Sequence, residues 1–147
     1  MSDLINWQEA YSIGVEHLDV QHHDIVTKIN RLYALIGNAK KAEAQLLITS
    51  LIDSLEQHFE DEESLMLALG YPSVGGHMTS HKLFLTDMRT HEKELNAGIN
   101  VLPRVLLQAV SWFNNHTVGE DQRLARFIKD VRQTSADQLS AALDRSK

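Results

Sequence analysis

There is no cysteine in the 147 residues. Disulfides, thiolate zinc sites and thiolate-held iron–sulfur clusters are excluded in one step. Proline occurs only at Pro72 and Pro103, so little interrupts long helices. No apolar run is long enough to span a bilayer. Basic residues are outnumbered, 14 against 20 acidic ones, and the net charge of −6 includes no basic stripe that would bind nucleic acid. The opening MSDLINWQEAYS lacks the basic and apolar pattern of a signal peptide, so a cytoplasmic location is expected. Period-two strands, internal repeats and low-complexity segments are missing too. What remains is 43% hydrophobic residues in mixed charge, enough for one ordinary domain with a real core.

The apolar residues recur every three or four positions, which predicts an all-α chain. Helices are expected over about 18–37, 41–69, 74–96 and 102–117. Gly70, followed by Tyr71-Pro72, reads as a left-handed cap and stop for the second. Asn38 to Lys40 and Ala97 to Asn100 make short connections, and short connections favour antiparallel neighbours. An up-down-up-down four-helix bundle is the economical architecture. Leu4 to Val15 reads as an irregular arm that packs Trp7 and Tyr11 on the bundle. One domain is expected over 1–147, with its core at about 5–128 and a helical tail at 129–147. Leu124, Ile128, Val131, Ser135, Leu139 and Ala142 keep helical spacing there. The plainer reading of that stripe is a terminal helix docked on the core; the other is a coupling helix for a protein partner.

Eight histidines are the unusual component, and their positions are more unusual still. The first stripe is Leu18, His22, Ile25, Ile29, Leu32 and Ile36. The second contains Leu47, Leu51 and Leu55, then His58 and Glu62, then Leu65 and Leu69. The third runs His77, His81, Phe84, Met88 and Leu95. The fourth is Val105, Ala109, Trp112 and His116, with Asp121 five residues later. A lone histidine on an apolar face is more often a hydrogen-bonded core residue than a ligand. Five histidines and a buried-phase carboxylate on four stripes demand a common cause. A carboxylate on such a face is costly unless it is paired or binds a metal.

Residues at i and i+4 point the same way, so each pair can grip one ion or two adjacent ones. Seven ligands exceed the four of tetrahedral zinc, and imidazoles contradict the all-oxygen shells of calcium and magnesium. Imidazole with carboxylate suits iron, among other transition metals. If Glu62 and Asp121 each bridge two six-coordinate ions and one solvent oxygen is shared, a single position stays open. A dinuclear site with one vacancy suits a small molecule.

At these residues the sequence resembles the hemerythrin family, specifically its bacterial members. The matching words are QH at Gln21-His22, HFEDE at His58–Glu62, HMTSH at His77–His81 and HTVGED at His116–Asp121. Flanking GVEHLDVQH, GYP and WFNNH agree, and the likeness spans about residues 5–128. The resemblance implies a non-haem di-iron centre that binds dioxygen reversibly for storage, delivery or sensing, rather than an enzyme. It places one iron on His77, His81 and His116 and the other, with the vacancy, on His22 and His58. Glu62 and Asp121 would bridge, beside an oxo or hydroxo group. Where the family usually has leucine in the oxygen pocket, this chain has Phe113, the expected pocket wall. Dioxygen is the expected partner of a monomer that engages neither nucleic acid nor membrane.

His17, His23 and His91 are expected on the surface. His23 lies about 100° round the helix from His22, and His91 about 15 Å along the axis from His81. Glu60, Asp61 and Glu63 read as a solvated face. Two other functions compete: a di-iron oxidase or peroxide-consuming enzyme, and an oxygen- or redox-sensing module with its output in a partner. Against the oxidase, no Glu-x-x-His pair of the ferritin-like kind occurs.

Overall fold

The computed structural model describes residues 3–37 and 40–145. Helix α1 runs Glu16–Ala34, α2 Lys41–Leu69, α3 Val74–Asn96, α4 Leu102–Asn115 and α5 Asp121–Arg145. Between α4 and α5, His116–Glu120 form one π turn, so the fourth rod of the bundle continues from Leu102 into the tail without a loop. Helix α1 packs on α2 and α4, and α3 packs on the same two, closing the up-down-up-down bundle. Among the described residues there is no strand and no helix long and apolar enough to cross a membrane.

The expected punctuation holds at Gly70, whose φ of 67° gives a left-handed cap. The Tyr71 amide returns to the Met66 carbonyl at 2.9 Å, the signature of a Schellman stop, and Pro72 follows. Helix α1 ends earlier than expected, at Ala34, in a turn through Gly37 with φ 81°. Asn38 and Ala39 of the expected first connection lie outside the described residues. The buried face of α2 is turned from the leucine stripe: Ile48, Ile52, Phe59 and Met66 are buried, whereas Leu47, Leu65 and Leu69 lie at its edge.

The arm is irregular apart from a 3-10 turn at Glu9–Tyr11. It is held by hydrogen bonds rather than by a helix. Asn30 brackets Ile5, accepting from its amide and donating to its carbonyl, both at 2.9 Å. Gln122 donates to the carbonyls of Ala10 and Ser12 at 2.8 Å. Tyr11 is buried and donates to Asn114 at 2.7 Å, pinning the arm across α4.

One apolar cluster fills the bundle from Ile5 and Leu32 to Phe59 and Phe113; a second, smaller one contains Met66, Tyr71, Leu124 and Ile128. Glu62 lies between them along α2, with His58 at the edge of the larger one, and His116 and Asp121 lie between them along the fourth rod. A polar layer therefore separates the two cores.

The tail divides. Leu124 and Ile128 are buried, but residues 132–145 are exposed throughout, with Leu139 62% accessible. The docked reading holds only as far as Val131, because the bundle ends and leaves nothing for the stripe to cover. The π turn corrects the expected helix end at 117. It absorbs one residue: with that residue discounted, Asp121, Leu124 and Ile128 stand four, seven and eleven positions after His116, a normal helical stripe.

Candidate metal centre

Spacing decides which side chains reach the polar layer. His58 and Glu62 share one face of α2 at i and i+4, and His77 and His81 do the same on α3. His116 and Asp121 are five apart, which in a regular α-helix would splay them by about 140°. The π turn brings them back together, its closing bond running from the Asp121 amide to the His116 carbonyl. His22 joins from α1. All seven are at least 96% buried.

Their donor atoms form two groups, each within 4.8 Å: Glu62, His77, His81, His116 and Asp121 in one, His22, His58, Glu62 and Asp121 in the other. The carboxylates belong to both, and their oxygens divide between them. Glu62 Oε1 lies 2.6 Å from His77 Nε2 and 3.3 Å from His81 Nε2, while Oε2 lies 3.2 Å from His58 Nε2. Asp121 Oδ1 lies 3.0 Å from His77 Nε2 and 3.1 Å from His116 Nε2, while Oδ2 lies 3.3 Å from His22 Nε2.

Short as these contacts are, both oxygens of each carboxylate and both nitrogens of His77 have no hydrogen-bond partner. Groups orphaned in an apolar interior cost free energy unless something compensates them. His81 Nε2 and His116 Nε2 face each other at 3.0 Å, a repulsive pairing of lone pairs unless a proton or cation intervenes. Nitrogen and oxygen lone pairs converging in two groups around shared carboxylates are the donor set a pair of transition-metal cations fits.

The outer nitrogens fix the inner ones. His22 Nδ1 donates to the Tyr11 carbonyl at 2.7 Å, His58 Nδ1 to Gln21 Oε1 at 2.8 Å and His81 Nδ1 to Glu63 Oε2 at 2.8 Å. Each bond holds the proton outside and leaves the Nε2 lone pair facing in. Gln21 is itself aimed by donating to Asp61 Oδ2 at 2.7 Å. His116 Nδ1 has no hydrogen bond, and Glu120 Oε1 stands 3.5 Å from it, held by the Ser80 hydroxyl at 2.6 Å.

Electrostatics of the cluster follow from burial opposed by partners. Burial and the charge of Asp121 would raise Glu62, but His58, His77 and His81 outweigh them and hold it down to about 2. Burial likewise opposes ionisation of Asp121, and His116, His22 and His77 bring it well below its ordinary value. His77 would be lowered by burial, yet Asp121 and Glu62 raise it to about 9. His22 is raised in the same manner, chiefly by Asp121 against burial, whereas burial prevails at His58 and lowers it. Two ionised carboxylates thus favour the protonated form of the His77 imidazole.

Rings close the centre on both sides. Phe113 is buried, its ring 5.9 Å from His22 and 5.0 Å from Tyr11. Trp112 stacks on His116 at 4.3 Å and Phe59 on His81 at 3.9 Å. The two neighbouring aromatics of α4 therefore serve opposite groups.

Of the three histidines expected outside, His17 is exposed and contacts Asp61 at 2.8 Å, and exposed His23 stacks on Trp7 at 3.4 Å. His91 does not join the cluster, but it is buried, contrary to expectation. It continues the stripe of His81, Phe84, Met88 and Leu95 and faces α4, where Nε2 meets Gln108 Oε1 at 2.6 Å. The outer roles of Glu63, Glu120 and Gln21 do not follow from the sequence, in which Glu63 reads as part of a solvated face and no role attaches to Glu120 or Gln21. The one available signal is their position beside a candidate ligand or one turn from it.

Residues 13–128 match the family model described as the hemerythrin HHE cation binding domain. A bacteriohemerythrin of Stenotrophomonas maltophilia is 29% identical over 126 residues, 86% of this chain and 82% of its own length. One of Pseudomonas aeruginosa is 28% identical over 137 residues, 93% of this chain and 87% of its own. A crystal structure of wild-type hemerythrin aligns with a TM-score of 0.79 at 25% identity, covering 84% of this chain and 96% of that one. With a match across most of its length and a cation-ready cluster at its centre, the chain belongs to the hemerythrin family.

Proposed function

We propose that the buried cluster holds two iron ions and that the chain binds dioxygen there reversibly. The observation that carries this reading is the division of each carboxylate, one oxygen toward the three-histidine group and one toward the two-histidine group. In it, His77, His81 and His116 hold one iron, His22 and His58 hold the other, and Glu62 and Asp121 bridge. The iron pair, when bound, supplies the electrons that dioxygen uptake draws on and returns on release.

The chain's own residues orient and insulate. Tyr11, Gln21 and Glu63 keep three imidazoles in the ligating tautomer. Phe113, backed by Tyr11, walls the two-histidine side with apolar surface and excludes water from it. The likeness to the hemerythrin family favours binding over oxidase chemistry at a centre rich in histidine and poor in carboxylate. A sensing role draws support from one feature, the helical extension 132–145, which is exposed throughout. Pull-downs with and without that extension separate a sensor from a carrier or store.

The test of the main reading is elemental analysis of protein grown with iron, followed by anaerobic reduction and addition of oxygen under a visible spectrometer. Two irons per chain and a spectrum that appears with oxygen and fades on its removal are expected. One iron per chain, or bound zinc with no oxygen-dependent spectrum, refutes it.

A further inference from the structure

Four of the five imidazoles have a polar group facing the outer nitrogen, His77 Nδ1 having no hydrogen-bond partner, and the charge of that group follows the division between the two groups. In the two-histidine group both outer partners are neutral: the Tyr11 carbonyl behind His22 and the Gln21 amide oxygen behind His58. In the three-histidine group the two outer groups that are present, behind His81 and His116, are carboxylates. Glu63 accepts from His81 Nδ1 at 2.8 Å, and Glu120 lies 3.5 Å from His116 Nδ1. Neither carboxylate is placed by chance. Glu63 follows Glu62 on α2 and so turns outward, toward the cleft between α2 and α3. Glu120 precedes Asp121 in the π turn and is anchored across to α3 by Ser80 at 2.6 Å.

A carboxylate behind an imidazole draws its N–H proton outward and makes the inner nitrogen the stronger electron donor, more so than a neutral acceptor does. Asp61 reaches His58 only through Gln21, so its charge is one amide removed. We propose that Glu63 and Glu120 are positioning residues that make the two halves of the centre unequal, so that the three-histidine half takes its divalent ion first and holds it more tightly. This rests on the two-metal reading above and goes beyond it, since bridging alone leaves loading order open. Ligand number favours the same order, three nitrogens against two, so the carboxylate contribution has to be isolated by substitution.

The experiment titrates cobalt(II), anaerobically, into the metal-free full chain and follows its visible bands against a competing chelator. Wild type should bind two ions in two steps. Glu63→Gln keeps a hydrogen-bond acceptor behind His81 and removes the charge; it should weaken the first step by about 10–100-fold and the second far less. Glu120→Gln removes a charge 3.5 Å from His116 Nδ1 without breaking a hydrogen bond to it, and should act in the same direction but more weakly. The reciprocal variant Gln21→Glu with Asp61→Asn moves one negative charge onto His58 without changing the total, and should tighten the second step. Circular dichroism of each metal-free variant identifies a folding defect, and the charge-neutral pair carries the test if Glu63→Gln proves unfolded. Two steps that Glu63→Gln and the reciprocal pair leave unmoved, or shift equally, overturn the proposal while the two-metal reading stands. A single bound cobalt in wild type overturns both.

Discussion

Phe113→Ala separates a wall from a mere packing residue. The side chain is 2% exposed and packs edge-on against Tyr11 at 5.0 Å and His22 at 5.9 Å. Truncation forfeits the transfer energy of the ring and leaves a cavity, about 3–5 kcal/mol in all, of which the pairing with Tyr11 accounts for about 0.5–1.5 kcal/mol. For a chain of this size that lowers the melting temperature by ~6–20 °C. If Phe113 also walls the two-histidine side, its loss admits water. Conversion of the oxygen-loaded protein to the ferric form should then speed up several-fold, and azide should reach the ferric form faster. Phe113→Leu restores apolar bulk and should autoxidise near the wild-type rate. Trp112→Ala is the internal control, because Trp112 stacks on His116 in the other group; it should lower stability without speeding azide entry. Stopped-flow spectroscopy of the folded fraction beside a denaturant melt reads both quantities. Phe113→Ala that loses stability but autoxidises like wild type refutes the wall.

His22→Ala, His58→Ala and His77→Ala should each lower iron per chain, as should Glu62→Ala and Asp121→Ala, which remove a shared bridge; elemental analysis reads all five. His23→Ala and His91→Ala should keep two irons, but His91→Ala should cost about 1–3 kcal/mol by orphaning Gln108 in a half-buried contact, which a urea melt measures. Metal-free protein should lose stability at both ends of the pH range. The proton on His77 stabilises fully below its ordinary value near 6.5 and that contribution fades as pH climbs through about 9. The ionised Glu62 contributes above its ordinary 4.5 and is lost as pH falls toward about 2. Iron loading should abolish the alkaline loss, since the ion replaces the proton, and melts of both forms from about pH 6 to about pH 10 test it. At the π turn, deleting Val118 should leave the helical phase of Asp121, Leu124 and Ile128 intact, whereas inserting one alanine there should rotate all three by about 100° and abolish iron binding. Equal damage from the two changes, by melt and by iron content, would refute the phase argument.

The candidate ligand set is legible because burial makes polarity conspicuous. His22, His58, Glu62, His77, His81 and His116 interrupt apolar stripes, and a stripe predicts hydrophobes. The same contrast located the four helices, since stripes are what helices bury. His91 shows where it was misapplied. Its distance along α3 from His81 sets it apart from the cluster but says nothing of its exposure. Phase alone places it in the core, on the stripe of Phe84, Met88 and Leu95.

The outer layer was not legible, for the complementary reason. Gln21, Glu63 and Glu120 occupy half-buried positions, where polar residues are ordinary and no contrast marks them. Their roles depend on which way neighbouring helices turn an imidazole edge, a tertiary fact that one helix's periodicity does not carry. The π turn lies between these cases. Its trace is in the sequence, since the stripe ending at Val105, Ala109 and His116 and the one resuming at Leu124 and Ile128 differ in phase by one residue. Taken as two helices with a break, the slip looks like a loop; taken as one rod, it requires an absorbed residue. The buried cluster favours the second account, because a wide turn lets His116 and Asp121, five apart, face it together while the rod goes on to bury Leu124. A local departure from α-helical geometry thus serves the site and the second core at once.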